Sequence, residues 1–221
     1  MDDLFGPYQR TRERVCTLLL EATPDDLART VPACPDWTVQ DLGAHLVGTP
    51  AELAAGRFPS GDVTSWLQDI VDARRGTDVA SLVDEWRTLD AAIEPMLQGP
   101  AGLMFGDVAV HEHDMRAALG RADHDALEVD AIVTFSLGSF ATPARDAGLG
   151  AIVVESDRGT WRSHDDDAGW TLRVEPWEAV RAVYSRRTAD ELRALPAEGD
   201  AEPYLALIAA HLPLPEHSLG E

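Results

Sequence analysis

Apolar residues recur at helical spacing through most of the first 148 residues, and this periodicity limits the possible folds more than any other feature of the sequence. In the first predicted helix, which begins near Leu4, the side chains of Val15, Leu18 and Leu19 fall on one side. Thr38 is a good N-cap for a second helix, and Asp41 three residues later completes a weak form of the capping box. Further helices are predicted over residues 64–73, 79–97, 104–119 and 130–147.

The pattern changes after Gly148. Three short runs with strand character, over residues 151–155, 160–162 and 170–174, are separated by clusters of turn-forming residues. Helical spacing then returns over residues 176–185, 188–195 and 202–211. The sequence therefore predicts a mainly α protein with a helical bundle over residues 1–148 and a small α+β domain over residues 149–221.

The charge of the chain excludes several classes of partner. The chain has 39 acidic residues and 18 basic ones, all of them arginine, which gives a formal net charge of -21. Such a surface repels phosphate backbones and anionic lipids, so we expect neither a nucleic-acid-binding nor a membrane-docking protein. Two cysteines, an acidic N-terminus unlike a signal peptide, and the lack of a long apolar stretch predict a soluble, cytoplasmic protein.

Asp107 and His111 form the most informative pair in the chain. On a helix they lie within about 40° of each other, and Asp114 falls on the same side. Met104 shares that face, which is therefore predicted to be buried. A buried carboxylate and imidazole need compensation, and a divalent cation supplies it. His45, on the apolar face of its own helix, is a candidate third ligand, which would leave an open coordination position. The alternative is a hydrogen-bonded His–Asp pair in the core.

Three other groups carry simpler interpretations. Glu112 and His113 project away from Asp107 and are predicted to face solvent. The acidic run over residues 164–167 is predicted to be a hydrophilic hairpin loop. Cys34, between two prolines, is interpreted as a packed loop residue rather than a ligand or nucleophile.

Two motifs carry a family resemblance. Residues 31–46 read VPACPDWTVQDLGAHL, which resembles the opening motif of the mycothiol-dependent maleylpyruvate isomerase family. That pattern is Cys-Pro-Gly-Trp-Thr-Val followed by a His-Leu pair, and here Asp36 replaces the glycine. The second family motif is a carboxylate, three residues, a histidine, two residues and an aspartate. In this chain it reads Asp107, His111 and Asp114.

The resemblance implies a DinB-like four-helix bundle that binds a divalent metal, usually zinc. Carried over by position, the ligands are His45, Asp107 and His111, and Asp114 is expected to orient one of them. The implied partners are a small-molecule substrate and a low-molecular-weight thiol, mycothiol or a similar compound. The chain departs from the isomerases at Asp107, where they have glutamate, and at His113, where tryptophan is frequent.

The resemblance also concerns the C-terminal domain, in which relatives carry a Gly-Arg pair that helps to hold substrate. The nearest match is Ser185-Arg186-Arg187, so Arg186 or Arg187 is a candidate clamp for a substrate carboxylate. The alternative interpretation is a solvated helix end that balances an acidic surface.

Three functions fit these observations. The first is a metal-dependent enzyme that uses the thiol for isomerisation or S-transfer on a small electrophile. The second is a hydrolase in which the metal activates water. The third is a non-enzymatic binding module in which the metal is structural or has been lost.

Overall fold

The computed structural model describes residues 4–97, 102–121 and 128–220. The chain divides into two compact units, Met1–Leu127 and Glu128–Glu221. It is mainly α, with a helical bundle followed by a small unit that contains a sheet, as the sequence predicts. None of the helices in the described parts of the chain is long and apolar enough to cross a bilayer.

The N-terminal unit is a helical bundle with one small ribbon of two strands. Its elements are α1 (Phe5–Glu21), α2 (Pro24–Leu27), β1 (Thr30–Val31), β2 (Cys34–Thr38), α3 (Val39–Ala54), α4 (Val63–Arg74), α5 (Val79–Arg87), α6 (Asp90–Met96) and α7 (Leu103–Ala118). The helices α1, α3, α5 and α7 form the bundle: α1 packs on the other three, and α3 packs on α5 and α7. Tyr8 and Trp86, both buried, join α1 to α5 through a 2.8 Å hydrogen bond from the indole Nε1 to the phenol oxygen.

Helix α3 begins where the sequence predicts. The Thr38 hydroxyl accepts a hydrogen bond from the Asp41 amide at 3.2 Å, and the Asp41 carboxylate accepts one from the Thr38 amide at 3.1 Å. This reciprocal capping box satisfies two amides that the first turn leaves without helical partners. It fixes the start of α3 one residue after β2 and so sets the position of His45.

Two of the predicted helices are wrong in length, because the structure divides each of them into two shorter helices. The helix predicted over residues 79–97 breaks between α5 and α6, where the Thr88 hydroxyl donates to the Glu85 carbonyl at 2.7 Å. The helix predicted over residues 130–147 is α8 (Val129–Ser139) followed by α9 (Ala141–Asp146). Pro143 has no amide hydrogen to donate to the carbonyl of Ser139, which explains the second break.

The C-terminal unit is built on a four-stranded sheet. After α8 and α9 it contains β3 (Ala151–Ser156), β4 (Gly159–Arg162), β5 (Ala168–Leu172), α10 (Pro176–Val183), α11 (Ala189–Ala194), β6 (Ala197–Gly199) and α12 (Glu202–His211). The strand order is β4-β3-β5-β6, in which β3 and β5 are parallel and the other two pairs are antiparallel. Helix α8 packs on α10 and β4, and α10 also packs on β3.

The prediction of a hairpin loop over residues 164–167 is wrong. Strands β4 and β5 lie on opposite sides of β3, so the segment crosses from one to the other. His164, at its start, is buried, and its Nδ1 lies 2.8 Å from the Ser163 hydroxyl. The position of β3 between β4 and β5 depends on strand pairing, for which the turn-forming residues of the segment contain no signal.

The division between the units falls before α8, whereas the sequence places the domain boundary at residue 148. Helix α8 belongs with the sheet because its neighbours there are α10 and β4. The boundary at residue 148 stays a prediction.

Candidate metal centre

Three side chains from two packed helices converge in the N-terminal unit. His45 lies on α3, and Asp107 and His111 lie one turn apart on α7. The Asp107 carboxylate lies between the two rings: Oδ2 is 3.2 Å from His45 Nε2, and Oδ1 is 3.4 Å from His111 Nε2. The ring centroids are 5.2 Å apart at 86°, and the three possible ligand atoms lie within 4.8 Å of one another.

Each imidazole is held from behind through its other nitrogen. His45 Nδ1 lies 3.2 Å from the hydroxyl of Thr49, one turn further along α3. His111 Nδ1 lies 2.8 Å from Oδ2 of Asp114, which is fully buried. These contacts leave both Nε2 atoms directed at the Asp107 carboxylate. In metal sites, partners of this kind orient the histidine ligands through the nitrogen that does not bind the metal.

The electrostatics of the three groups favour a positive charge between them. Burial works to raise the pKa of Asp107, but the neighbouring His45 and the hydrogen bonds with His111 and His45 lower that pKa well below its ordinary value. Burial likewise opposes protonation of His111, yet its hydrogen bonds with Asp107, Asp114 and Cys34 raise the pKa of the ring well above the ordinary value. Both shifts arise from attraction between the Asp107 carboxylate and positive charge, which is the electrostatic condition that a divalent cation requires.

The donor set fits a divalent metal. Two imidazole nitrogens and one carboxylate oxygen are common protein ligands of zinc, and three of them leave a position open. Of the His45–Asp107 pair, the Asp107 side chain is 36% exposed, whereas the side chain of His45 is 3% exposed. The indole ring of Trp37 lies 5.0 Å from the His45 ring, and its Nε1 donates to Gln68 at 3.0 Å, so that Trp37 forms one wall.

The predictions for Glu112 and His113 are wrong, because both residues are buried. Helix α7 contacts α1, α3 and β1, so it has no broad solvent face along this turn. The Glu112 carboxylate is paired with Arg14 of α1, through contacts of 2.8 to 3.0 Å, and with Arg116, through contacts of 2.8 and 2.9 Å. Pairing with two guanidinium groups is what makes the burial of this carboxylate tolerable.

The two candidate arginines lie in the C-terminal unit. Arg187 is buried and donates from Nε and Nη2 to the two oxygens of Glu178, at 2.6 and 2.8 Å. Arg186 donates from Nη1 to the carbonyl of Tyr184 at 2.7 Å. Both follow Ser185, a non-glycine residue with a φ of 58°. Substrate binding by either arginine stays a prediction, and for Arg187 it would require exchange of its carboxylate partner.

Sequence reasoning missed three residues that contact this centre. Thr49 follows His45 by four residues, so its position on the same helix face was available from the sequence. Trp37 belongs to the motif already quoted, but nothing in the spacing indicates that its ring approaches His45. Cys34 is predicted to be a packed loop residue, whereas its sulfur lies within 4.8 Å of a ring nitrogen of His111.

Comparison with models of known protein families identifies the N-terminal part of the chain. The model of the mycothiol maleylpyruvate isomerase N-terminal domain matches residues 8–148. The chain belongs to this family. The match confirms the family and the fold class that the two motifs indicate, and it includes all three converging residues. It also extends beyond the compact unit that ends at Leu127, through α8 and α9. Searches of curated proteins and of solved structures returned no match.

Proposed function

We propose that this protein is a metal-dependent enzyme that uses a low-molecular-weight thiol, mycothiol or a similar compound, for isomerisation or S-transfer on a small electrophilic substrate. The observation that carries the proposal is the convergence of His45 Nε2, His111 Nε2 and the Asp107 carboxylate. Membership of the mycothiol maleylpyruvate isomerase family supports the thiol.

The roles of the residues follow from their contacts. His45, Asp107 and His111 would hold a divalent metal, and zinc fits two imidazoles and a carboxylate. When bound, the metal would supply a Lewis acid and an open position at which a thiol is driven toward its thiolate. Asp114 and Thr49 keep the two Nε2 atoms directed inward. Arg186 and Arg187 stay candidates for holding a substrate carboxylate.

The half-exposed Asp107 favours a second candidate function. Because the Asp107 side chain is 36% exposed, water as well as a thiol would approach a metal bound beside it, which suits a hydrolase that uses metal-bound water. The two enzymes differ in one requirement, since the hydrolase turns over without any thiol. A non-enzymatic binding module would show neither activity.

The first experiment is the metal content of the purified protein beside the variants His45→Ala and Asp107→Ala. We expect close to one divalent metal per chain in the parent and strongly reduced metal in both variants. His217→Ala and Asp69→Ala are matched controls because both residues are exposed and lie outside the centre. No metal in the parent after reconstitution, or equal metal in all variants, would overturn the proposal.

The second experiment distinguishes the thiol-dependent enzyme from the hydrolase. The reconstituted protein is assayed for isomerisation of maleylpyruvate with and without mycothiol, and for thioether formation with a panel of electrophiles. Turnover that depends on the thiol supports the proposal. Hydrolysis of an ester or amide panel without thiol, combined with no thiol-dependent product, would favour the hydrolase instead.

A further inference from the structure

Cys34 lies beside the candidate metal centre, on an element that the sequence does not predict to be a strand. It is the first residue of β2 and stands opposite Val31 of β1. The ribbon of β1 and β2 packs on the two helices that carry the centre, because β1 contacts α7 and β2 contacts α3. This packing brings the half-buried thiol of Cys34 within 4.8 Å of a ring nitrogen of His111.

The thiol belongs to a second group of possible ligands. Cys34 Sγ, a ring nitrogen of His111 and a carboxylate oxygen of Asp114 lie within 4.8 Å of one another. The first group consists of His45, Asp107 and His111, so the two groups share the His111 imidazole. The Cys34 sulfur does not lie within 4.8 Å of all the ligand atoms of His45, Asp107 and His111, so ligation requires its side chain to rotate toward them.

We propose that Cys34 is a fourth ligand of the metal held by His45, Asp107 and His111. The inference rests on the proposed function, because it requires the metal. Structural zinc sites are closed by four protein ligands, and thiolate sulfur is among the ligands that zinc prefers. On ligation the S–H bond breaks, the sulfur–metal bond forms and the proton leaves to solvent.

Ligation by Cys34 would change how the thiol cosubstrate binds to the metal. A centre with three protein ligands offers its open position directly, whereas a centre closed by Cys34 offers it only when Cys34 leaves or the metal accepts a fifth ligand. The protein then carries an internal thiol at the position that an external thiol has to occupy. Cys34 would thereby set the affinity of the centre for its cosubstrate.

Cobalt substitution tests the proposal without any measurement of activity. Co(II) in a protein site gives visible d–d bands, which report that metal is bound, and a thiolate ligand adds a charge-transfer band in the near ultraviolet. We expect the parent to show both. Cys34→Ser should keep the visible bands and the metal stoichiometry and lose the near-ultraviolet band. His45→Ala should lose both.

Cys16 provides the matched control, because it is the other cysteine of the chain and is fully buried in α1. Cys16→Ala should keep both bands. Visible bands without the charge-transfer band in the parent would overturn the role of Cys34 and leave the metal centre standing. A charge-transfer band that survives in Cys34→Ser would also overturn it. No cobalt in the parent would overturn this inference together with the proposed function.

A second measurement does not depend on whether the variants fold. X-ray absorption at the zinc edge of the parent protein reports the ligand atoms directly. We expect one sulfur at about 2.3 Å beside nitrogen and oxygen ligands at about 2.0–2.2 Å. A shell of nitrogen and oxygen alone would show that Cys34 is not bound.

Discussion

At the scale of single residues, the centre depends on partners that stand behind the candidate ligands. Both imidazoles are oriented through Nδ1, one by the hydroxyl of Thr49 and one by the buried carboxylate of Asp114. The contact with Asp114 is the shorter of the two and involves a charged group, so it should contribute more to orientation. This difference makes Asp114 the better position at which to test whether the outer contacts matter.

Replacement of Asp114 by asparagine should weaken metal binding without unfolding the protein. The amide keeps the size of the side chain but removes the negative charge that holds His111 Nδ1, and loss of such a partner typically costs about 10–100-fold in metal affinity. Competition with a chromophoric chelator measures the affinity. Asp69→Asn, on the exposed side of α4, is the control. Equal affinities in the parent and in Asp114→Asn would contradict an orienting role.

The two cysteines should differ in reactivity in the metal-free protein. Cys16 is fully buried, and burial raises the pKa of its thiol to about 11. Below that pKa the thiol is protonated, so at about pH 8 it should not react while the fold is intact, whereas the half-buried Cys34 should. Iodoacetamide labelling with peptide mass spectrometry measures both sites. Labelling of Cys16 before Cys34 in native protein would contradict the expected order, and both should react in denaturant.

At this scale, helical geometry and two motifs predicted that His45, Asp107 and His111 come together, and metal binding by them stays a prediction. The sequence-based prediction failed for Glu112 and His113 because a helical wheel assumes one buried face. Three neighbours surround α7, and the wheel contains no information about them. Cys34 was missed for a related reason, since its contact with His111 joins residues far apart in the chain.

At the scale of elements, the pair α1 and α7 is joined by one buried carboxylate. Glu112 pairs with Arg14 across the two helices and with Arg116 on its own helix. The carboxylate is fully buried, and the two arginine side chains are 20% and 14% exposed. Removal of the carboxylate would take from both guanidinium groups the counter-charge that Glu112 supplies, while both side chains stay largely out of water.

Replacement of Glu112 by alanine should therefore destabilise the N-terminal unit by about 3 kcal/mol, the lower end of the range for a broken buried pair, because both arginines keep some contact with water. Glu21→Ala is the matched control. Its pair with Arg121 joins side chains that are 62% and 39% exposed, and its loss should cost at most about 1 kcal/mol. Urea denaturation followed by circular dichroism measures both, and equal costs would contradict the assignment.

Comparison of the elements shows which of them can be predicted from the sequence and which cannot. Helices such as α1 and α3 were predicted from apolar periodicity and from the capping box at Thr38, both local signals. The ribbon of β1 and β2 was predicted only as an extended segment, because the pairing of Thr30 with Thr38 is not encoded in either strand alone. The strand β6, Ala-Glu-Gly, has no strand propensity and exists because β5 offers it an edge.

At the scale of the whole molecule, the structure and the family match divide the chain at different points. The compact unit ends at Leu127, whereas the match and the sequence-based boundary end at residue 148. The difference is the pair of helices α8 and α9. The buried residues of α8 include Ile132, Val133 and Leu137, and the helix packs on elements of the sheet-containing unit.

Two fragments distinguish the boundaries. The fragment of residues 1–127 should unfold cooperatively and bind metal, because it contains the bundle and all three candidate ligands. The fragment of residues 1–148 should bind a hydrophobic dye and self-associate, because α8 is cut away from the elements that cover its apolar residues. Thermal denaturation, dye fluorescence and metal analysis measure these properties. A well-behaved longer fragment beside an unfolded shorter one would favour the boundary at residue 148.

The central turn of α7 has a consequence for how this protein can change. Four successive residues, from His111 to Asp114, are buried, and each of the four has a polar or charged side chain. In an ordinary surface helix, every turn includes positions that evolution can alter freely, and these positions let a lineage drift toward new properties. Here a substitution at any of the four alters a buried polar group and so requires a matching change in the residues that surround it. We therefore expect this turn to change only together with its neighbours, while the loops and the second unit change independently.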